Sequence, residues 1–264
     1  MCRHWGLLLV VYQGLWVWAP SSAAGADVPL IAAHRGSTIH APENTLAAIR
    51  WAAGAGADLV ETDLRITRDG ALVLLHDERV NRTTTGHGSV HDLTLSEVRS
   101  FDAGAGQKVP TLDEALTLMA DRPQRLLLDV KDGDRIPASQ LIGAVTAHGL
   151  EQRVLVGVRS VDFLQALERG DPRVRTLAMI PEASSLEAFV RYRPDAVRLW
   201  ARWVERNPKL VDSVRASGAH VWIMAGGRRP ASMRDLVGRV DGIITDYPLE
   251  LRRMVGPGPA LIHP

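Results

Sequence analysis

A rhythm constrains this chain more than any single residue does. From Leu30 onward, short apolar runs alternate with segments whose apolar residues recur at helical spacing. The alternation repeats about eight times before Thr245. Runs such as Leu30–Ala33, Arg153–Val158 and His220–Met224 are apolar on successive residues, not on alternate ones. Strands of that kind are buried on both faces, as in a parallel sheet covered by helices. Sustained over roughly 220 residues, the pattern favours an α/β fold, a (β/α)₈ TIM barrel, over an open sheet. Nine runs qualify as strands, one more than a barrel needs; Ala71–Leu75 and Asp241–Thr245 are the weakest. The rhythm lapses once, after the third strand. There residues 81–110, rich in Thr, Gly and polar side chains, read as a short irregular insertion. No Pro/Gly/Ser-rich linker follows Asp27, so residues 27–264 read as one domain.

The chain before the barrel is different in kind. Arg3 and His4 precede an almost unbroken apolar run, Gly6–Ala19, and small residues follow at Ala24 and Ala26. A basic start, a short apolar core and an A-x-A-like exit define a secretory signal peptide over residues 1–26. The run is shorter than the roughly 20 residues a membrane span needs, so no stable span is expected in the mature chain. The expectation is export, to a periplasm or beyond. Cys2 is the only cysteine and leaves with the leader, so thiol and disulfide chemistry leave with it. Arg3 leaves too, so the 31 Lys and Arg residues become 30 against 30 Asp and Glu. A near-neutral balance lacks the electrostatic footprint of a nucleic-acid partner. Nothing in the sequence addresses oligomeric state.

The chemistry-bearing residues gather at strand ends. His34 ends the first run and His76 the third. Between them, Glu61 and Asp63 lie two apart in the run Leu59–Ile66, so one strand presents both carboxylates on one face. Asp129 and Lys131 stand in the same relation on a later strand. Carboxylates facing a barrel interior are costly unless paired or coordinating. A cation held by Glu61, Asp63 and Asp129 removes that cost, and an all-oxygen donor set suits a hard ion, Mg²⁺ or Ca²⁺. Arg35 and Lys131 add positive charge suited to a phosphate, although Lys131 has an alternative ion pair with Asp129 or Asp132. Two histidines beside a phosphate suit a general base and a general acid. Trp200 and Trp222 end apolar runs, and one of them is expected to line the mouth. Glu43 or Asn44 is placed to cap the helix expected over Glu43–Ala53, and Thr111 with Glu114 forms a capping-box pattern. No G-x-S-x-G occurs, so a hydrolase serine is not indicated.

Seven motifs in order carry a resemblance. They are HRG at His34–Gly36, PENT at Pro42–Thr45, D-x-x-E-x-D at Asp58–Asp63 and T-x-DG-x-LVLLHD at Thr67–Asp77. RTT-x-G-x-G at Arg82–Gly88, VPTLDEAL at Val109–Leu116 and DGIITDYP at Asp241–Pro248 complete the set. Together they resemble the glycerophosphodiester phosphodiesterase family. The resemblance implies a phospholipase-C-like barrel that hydrolyses glycerophosphodiesters to sn-glycerol 3-phosphate and an alcohol with a divalent cation. It implies His34 and His76 as the acid–base pair, Glu61 and Asp63 as metal ligands, and Arg35 on the phosphate. Two departures stand out. Asp129-Val130-Lys131 replaces the usual Glu-x-Lys. Trp222-Ile223-Met224-Ala225 replaces a W-T-V-N run, so Trp222 remains as a substrate contact but its neighbours do not. Glu43 is equally suited to shaping its loop or facing the substrate. Two other functions fit the same sequence: a lysophospholipase-D-type activity on acylated substrates, and a barrel that binds phosphodiesters with little turnover. An insertion closed over the mouth favours small substrates, whereas an apolar trough beside Trp200 or Trp222 favours lipids.

Overall fold

The computed structural model describes residues 28–258, so the expected leader lies outside the described residues. Nine strands form one sheet: β1 (Leu30–Ala33), β2 (Leu59–Ile66), β3 (Leu72–Leu74), β4 (Arg125–Val130), β5 (Val154–Val158), β6 (Arg175–Ala178), β7 (Ala196–Trp200), β8 (His220–Gly226) and β9 (Gly242–Thr245). Their order is β1-β9-β8-β7-β6-β5-β4-β2-β3, and β1 also pairs with β2. Only β3 pairs antiparallel, through Leu64 with Leu74 and Ile66 with Leu72. Removing it leaves a closed, all-parallel, eight-stranded barrel wrapped by helices.

The surplus strand is therefore β3, a hairpin partner of β2 turned by Asp69-Gly70. The other weak candidate, around Asp241–Thr245, closes the barrel: β9 registers with β1 from Leu30–Gly242 to Ala33–Thr245.

Two apolar layers hold the barrel. Outward-facing residues such as Ile31, Val60, Leu64, Leu128 and Ile223 pack beneath the helices. Inward-facing residues, among them Leu59, Leu127, Leu155, Leu177 and Trp222, fill the interior. The expectation that Trp222 reaches substrate is corrected here. Its side chain is fully buried in the interior layer, in register with Gly242 and Arg198, well below the strand ends. The indole occupies space that only a glycine at 242 leaves open, because a Cβ there would overlap its ring.

The insertion is less irregular than its composition suggests. Val80, Val90, Val98, Ala103 and Val109 join Val73 and Leu75 in a separate apolar cluster, with Phe101 packed against it. A helix at Leu95–Ser100 begins with a capping box between Thr94 and Glu97, and the expected box between Thr111 and Glu114 starts the next helix, Leu112–Ala120. Scattered valines separated by glycines carry no strand or helix period, which is why the small core was invisible to periodicity.

Gly242→Ala should lose about 1–3 kcal/mol of stability through overpacking against Trp222. Denaturant unfolding followed by tryptophan fluorescence checks this; an unchanged midpoint would contradict the packing described.

Candidate active site

The site lies at the C-terminal ends of the barrel strands. Along β2 the interior positions run Leu59, Glu61, Asp63, and along β4 they run Leu127, Asp129. Asp63 registers with Asp129, so the apolar floor gives way to carboxylates at one level on neighbouring strands. Thr62 and Leu64 face outward, as the period-two reading requires. Glu61, Asp63 and Asp129 are all buried, and each offers an oxygen within 4.8 Å of the others.

Fixed donors orient two of these carboxylates. Immediately after β1, Arg35, Gly36 and Ser37 all have positive φ, a sharp turn pressed against the helix Leu46–Gly54. A Cβ on Gly36 would sit 2.8 Å from the Ala48 carbonyl carbon, so that position needs glycine. The turn aims the Arg35 backbone N–H at Glu61 Oε2, 2.6 Å away. Asn44, also left-handed, donates from Nδ2 to Asp63 Oδ2 at 2.7 Å and accepts the Asp63 backbone N–H at 3.0 Å. Asn44 is thus a clamp on Asp63, and Thr45 caps the helix in its place. The capping role expected of Glu43 or Asn44 is corrected accordingly.

Lys131 is drawn into the carboxylates: it pairs with Asp129 and lies 2.8 Å from Asp63 Oδ1. Asp132 instead binds Arg65. Arg159, just beyond β5, donates to both oxygens of Asp129 at 2.8 and 2.5 Å. Burial would raise every carboxyl here, but Lys131 and then Arg159 hold Asp129 well below the usual range. Asp63 is also lowered: burial is the largest single influence and raises it, but Lys131 with His76 and Arg35 together outweigh it. For Glu61 burial, followed by the charge of Asp63, prevails over the pull of His34 and Lys131 and pushes it up to about 7. An excess of buried negative charge on an all-oxygen donor set fits a hard divalent cation, so these residues fit the expected metal.

Both histidines are held by carboxylates. His34 Nδ1 lies 2.7 Å from Asp246 Oδ1, and His76 Nδ1 lies 2.7 Å from Asp77 Oδ1. Each carboxylate accepts the Nδ1 proton, which leaves Nε2 as the working nitrogen. Burial lowers both imidazoles. For His34 the Asp246 hydrogen bond and the charge of Glu61 outweigh burial, and the net shift is upward. For His76 burial prevails over Asp63 and Asp77, and the net shift is downward.

Glu43 does not point at a substrate with free oxygens. It accepts from Arg35 Nη1 at 2.9 Å and from both terminal nitrogens of Arg82 at 2.8 Å. Arg82 comes from the insertion and also grips Asp77 at 2.6 Å. The result is an unbroken chain, Arg35–Glu43–Arg82–Asp77–His76, from one end of the site to the other. Of the expected residues, His34, Arg35, Glu61, Asp63, His76, Asp129 and Lys131 gather here, Glu43 serves as support, and Trp222 is elsewhere. Asp246, Asp77, Arg82 and Arg159 were not singled out from the sequence. The first three lie inside the quoted motifs, so the signal was present; for Arg159 there was none.

The frame and this mouth define a class: a TIM-barrel enzyme with a carboxylate group, at the strand ends, suited to holding a metal. Comparison with known proteins makes the class specific. The model of the Glycerophosphoryl diester phosphodiesterase family matches residues 34–250. A glycerophosphodiester phosphodiesterase of Caldanaerobacter subterraneus subsp. tengcongensis is 32% identical over 240 residues, covering 87% of this chain and 98% of that one. The crystal structure of glycerophosphodiester phosphodiesterase from Agrobacterium tumefaciens superposes with a TM-score of 0.75 at 28% identity, covering 85% of this chain and 99% of that one. An Oleispira antarctica phosphodiesterase, solved with its product sn-glycerol-3-phosphate, shares the fold with a TM-score of 0.72 at 24% identity, covering 86% and 96%. The chain belongs to the glycerophosphoryl diester phosphodiesterase family and is an enzyme of that class.

Because Glu61 titrates near 7, a cation must displace its proton in mildly acidic solution. Mg²⁺ or Ca²⁺ affinity should therefore rise as pH increases from 6 to 8, approaching tenfold per pH unit below the pKa. Calorimetric titration at the two pH values checks it; a pH-independent affinity would place the cation away from Glu61.

Proposed function

We propose that this enzyme hydrolyses small deacylated glycerophosphodiesters, such as glycerophosphocholine and glycerophosphoethanolamine, to sn-glycerol 3-phosphate and an alcohol. The observation that carries the mechanism is the matched pair of histidines, each oriented through Nδ1 by a carboxylate at 2.7 Å. Their environments push them apart, His34 upward and His76 downward. The proton is thus favoured on His34 over His76, the kind of division an acid–base displacement uses.

The glycerol 2-hydroxyl then serves as an internal nucleophile, an arrangement that needs only positioning and proton transfer. One imidazole removes the hydroxyl proton as the oxygen attacks phosphorus. The other protonates the departing alkoxide, leaving a cyclic phosphate. Water opens that ring with the two histidines exchanging roles. Arg35, held in place by Glu43, faces the charge on the phosphate, and Lys131 adds to it. Glu61, Asp63 and Asp129 would hold Mg²⁺ or Ca²⁺, whose chemistry is to neutralise charge on the phosphoryl oxygens.

Small substrates are favoured over acylated ones for a structural reason. Trp222 is buried, and Trp200 carries two guanidinium groups, those of Arg198 and Arg202, within 4.7 and 5.0 Å of its ring. Neither tryptophan lines an apolar trough. Among the described residues no helix is long and apolar enough to cross a membrane. We infer export from the leader-like sequence of residues 1–26, as the composition of that segment supports.

Metal-stripped enzyme should release no glycerol 3-phosphate from glycerophosphocholine until Mg²⁺ or Ca²⁺ is restored. His34→Ala and His76→Ala should each cost about 10²–10⁴-fold in kcat. A folded wild-type barrel inactive on every glycerophosphodiester would sink this reading.

A further inference from the structure

One buried cation of the barrel interior has no task in the reaction described. Arg198 lies on β7 in register with Trp222, so it points into the barrel, and it is 3% exposed. Its Nε and Nη1 have no hydrogen-bond partner among the described residues. No ion pair of Arg198 occurs among the described residues, whereas Arg35, Arg82 and Arg159 each hold a carboxylate. Burial, then the neighbouring charge of Arg159, lowers its pKa to about 10, which still leaves it cationic at neutral pH. Asp129 is near enough to act on Arg198 favourably, but both of its oxygens already accept from Arg159.

The Trp200 ring holds Arg198 at 4.7 Å and draws in a second guanidinium, that of the exposed Arg202, at 5.0 Å. A cation–π contact offsets only part of the cost of burying a guanidinium without hydrogen bonds. Two like charges gathered on one ring add to that cost. Such an arrangement persists where an anion is to be met, and the charge of the reacting phosphate is already answered by Arg35 and Lys131. The same ring is a poor host for a quaternary ammonium, because its attraction for cations is already used by the protein itself.

We propose that Arg198, Arg202 and Trp200 form a second oxyanion subsite that binds the alcohol part of the substrate, selecting glycerophosphodiesters whose alcohol carries its own phosphate or carboxylate. The subsite rests on the glycerophosphodiesterase reading and narrows it to a substrate class. Arg159, bound to Asp129, joins it to the carboxylate group. The anion on the alcohol would receive the unpartnered N–H groups of Arg198 in a charge-assisted contact, with Arg202 closing from the exposed side.

The test compares kcat/KM of the metal-loaded enzyme on four diesters at one ionic strength. Glycerophosphocholine has a cationic alcohol and glycerophosphoglycerol a neutral one. Glycerophosphoglycolate carries a carboxylate with no ammonium beside it, and bis(glycerophospho)glycerol a second phosphate. The expected order places bis(glycerophospho)glycerol roughly tenfold or more above glycerophosphoglycerol, chiefly through KM, with glycerophosphocholine last. Arg198→Gln should compress the ratio of anionic to neutral substrate toward one. Arg202→Ala, at an exposed position, should compress it in part without risk to the fold. A merely structural role for Arg198 would lower all four rates and leave the ratio alone. A preference shared by glycerophosphoglycolate assigns the subsite to oxyanions in general; a preference confined to bis(glycerophospho)glycerol assigns it to phosphate. Turnover of all four diesters with no anionic preference, or with a ratio unmoved in both variants, overturns the subsite alone. No turnover of any overturns the functional reading with it.

Discussion

Three carboxylates buried together on two neighbouring strands of a barrel are the constraint around which this structure is arranged. Glu61, Asp63 and Asp129 lie on adjacent parallel strands, so their separation is set by the sheet register and not by side-chain choice. Bringing three negative groups out of water is costly unless each is met by a cation or a donor. Asp129 is met by Lys131 and Arg159, and Asp63 by Lys131 and the Asn44 amide. Glu61 accepts the Arg35 backbone N–H and has no ion-pair partner among the described residues, and of the three it alone is raised, to about 7. The imbalance is localised where a metal ion would repair it.

The neighbouring loops follow from that constraint. The left-handed turn at Arg35–Ser37 exists to aim one backbone donor, and Gly36 lets it lie against the helix behind. Glu43 is used to hold arginines, not substrate. Through Arg82 it ties the β1 loop to the insertion, and through Asp77 to the second histidine. The insertion therefore acts as a brace. Its own apolar cluster includes Val80, two residues before Arg82, and so anchors the segment that carries this guanidinium.

The parts of this molecule governed by period were legible before the structure. Continuous apolar runs separated by helical spacing announced the barrel, and the two-residue spacing of Glu61 and Asp63 announced a shared face. The parts governed by long-range pairing were not. Whether the run at 242–245 joined the barrel depended on pairing with Leu30–Ala33 at the other end of the chain, which no local pattern encodes, whereas the run at 72–74 pairs with its neighbour β2 across a local hairpin. Asp246, Asp77 and Arg82 looked like ordinary polar loop residues because their roles appear only against His34, His76 and Glu43. Trp222 misled for the opposite reason. A tryptophan near a strand end suggests a rim, but its depth was decided by Gly242 on the next strand.

The central claim is that the buried carboxylates are balanced by a cation, and stability is the most direct readout of it. A ligand that binds only the folded barrel raises its unfolding temperature by mass action. The measurement is the thermal midpoint of the purified enzyme at pH 8, in chelator and with Mg²⁺ or Ca²⁺ at about a hundredfold excess over Kd, for the wild type and for Glu61→Gln. The account predicts a rise on the order of 5–10 °C in the wild type and a much smaller one in the variant. A wild-type midpoint that ignores both ions, or a shift that survives intact in Glu61→Gln, would contradict it.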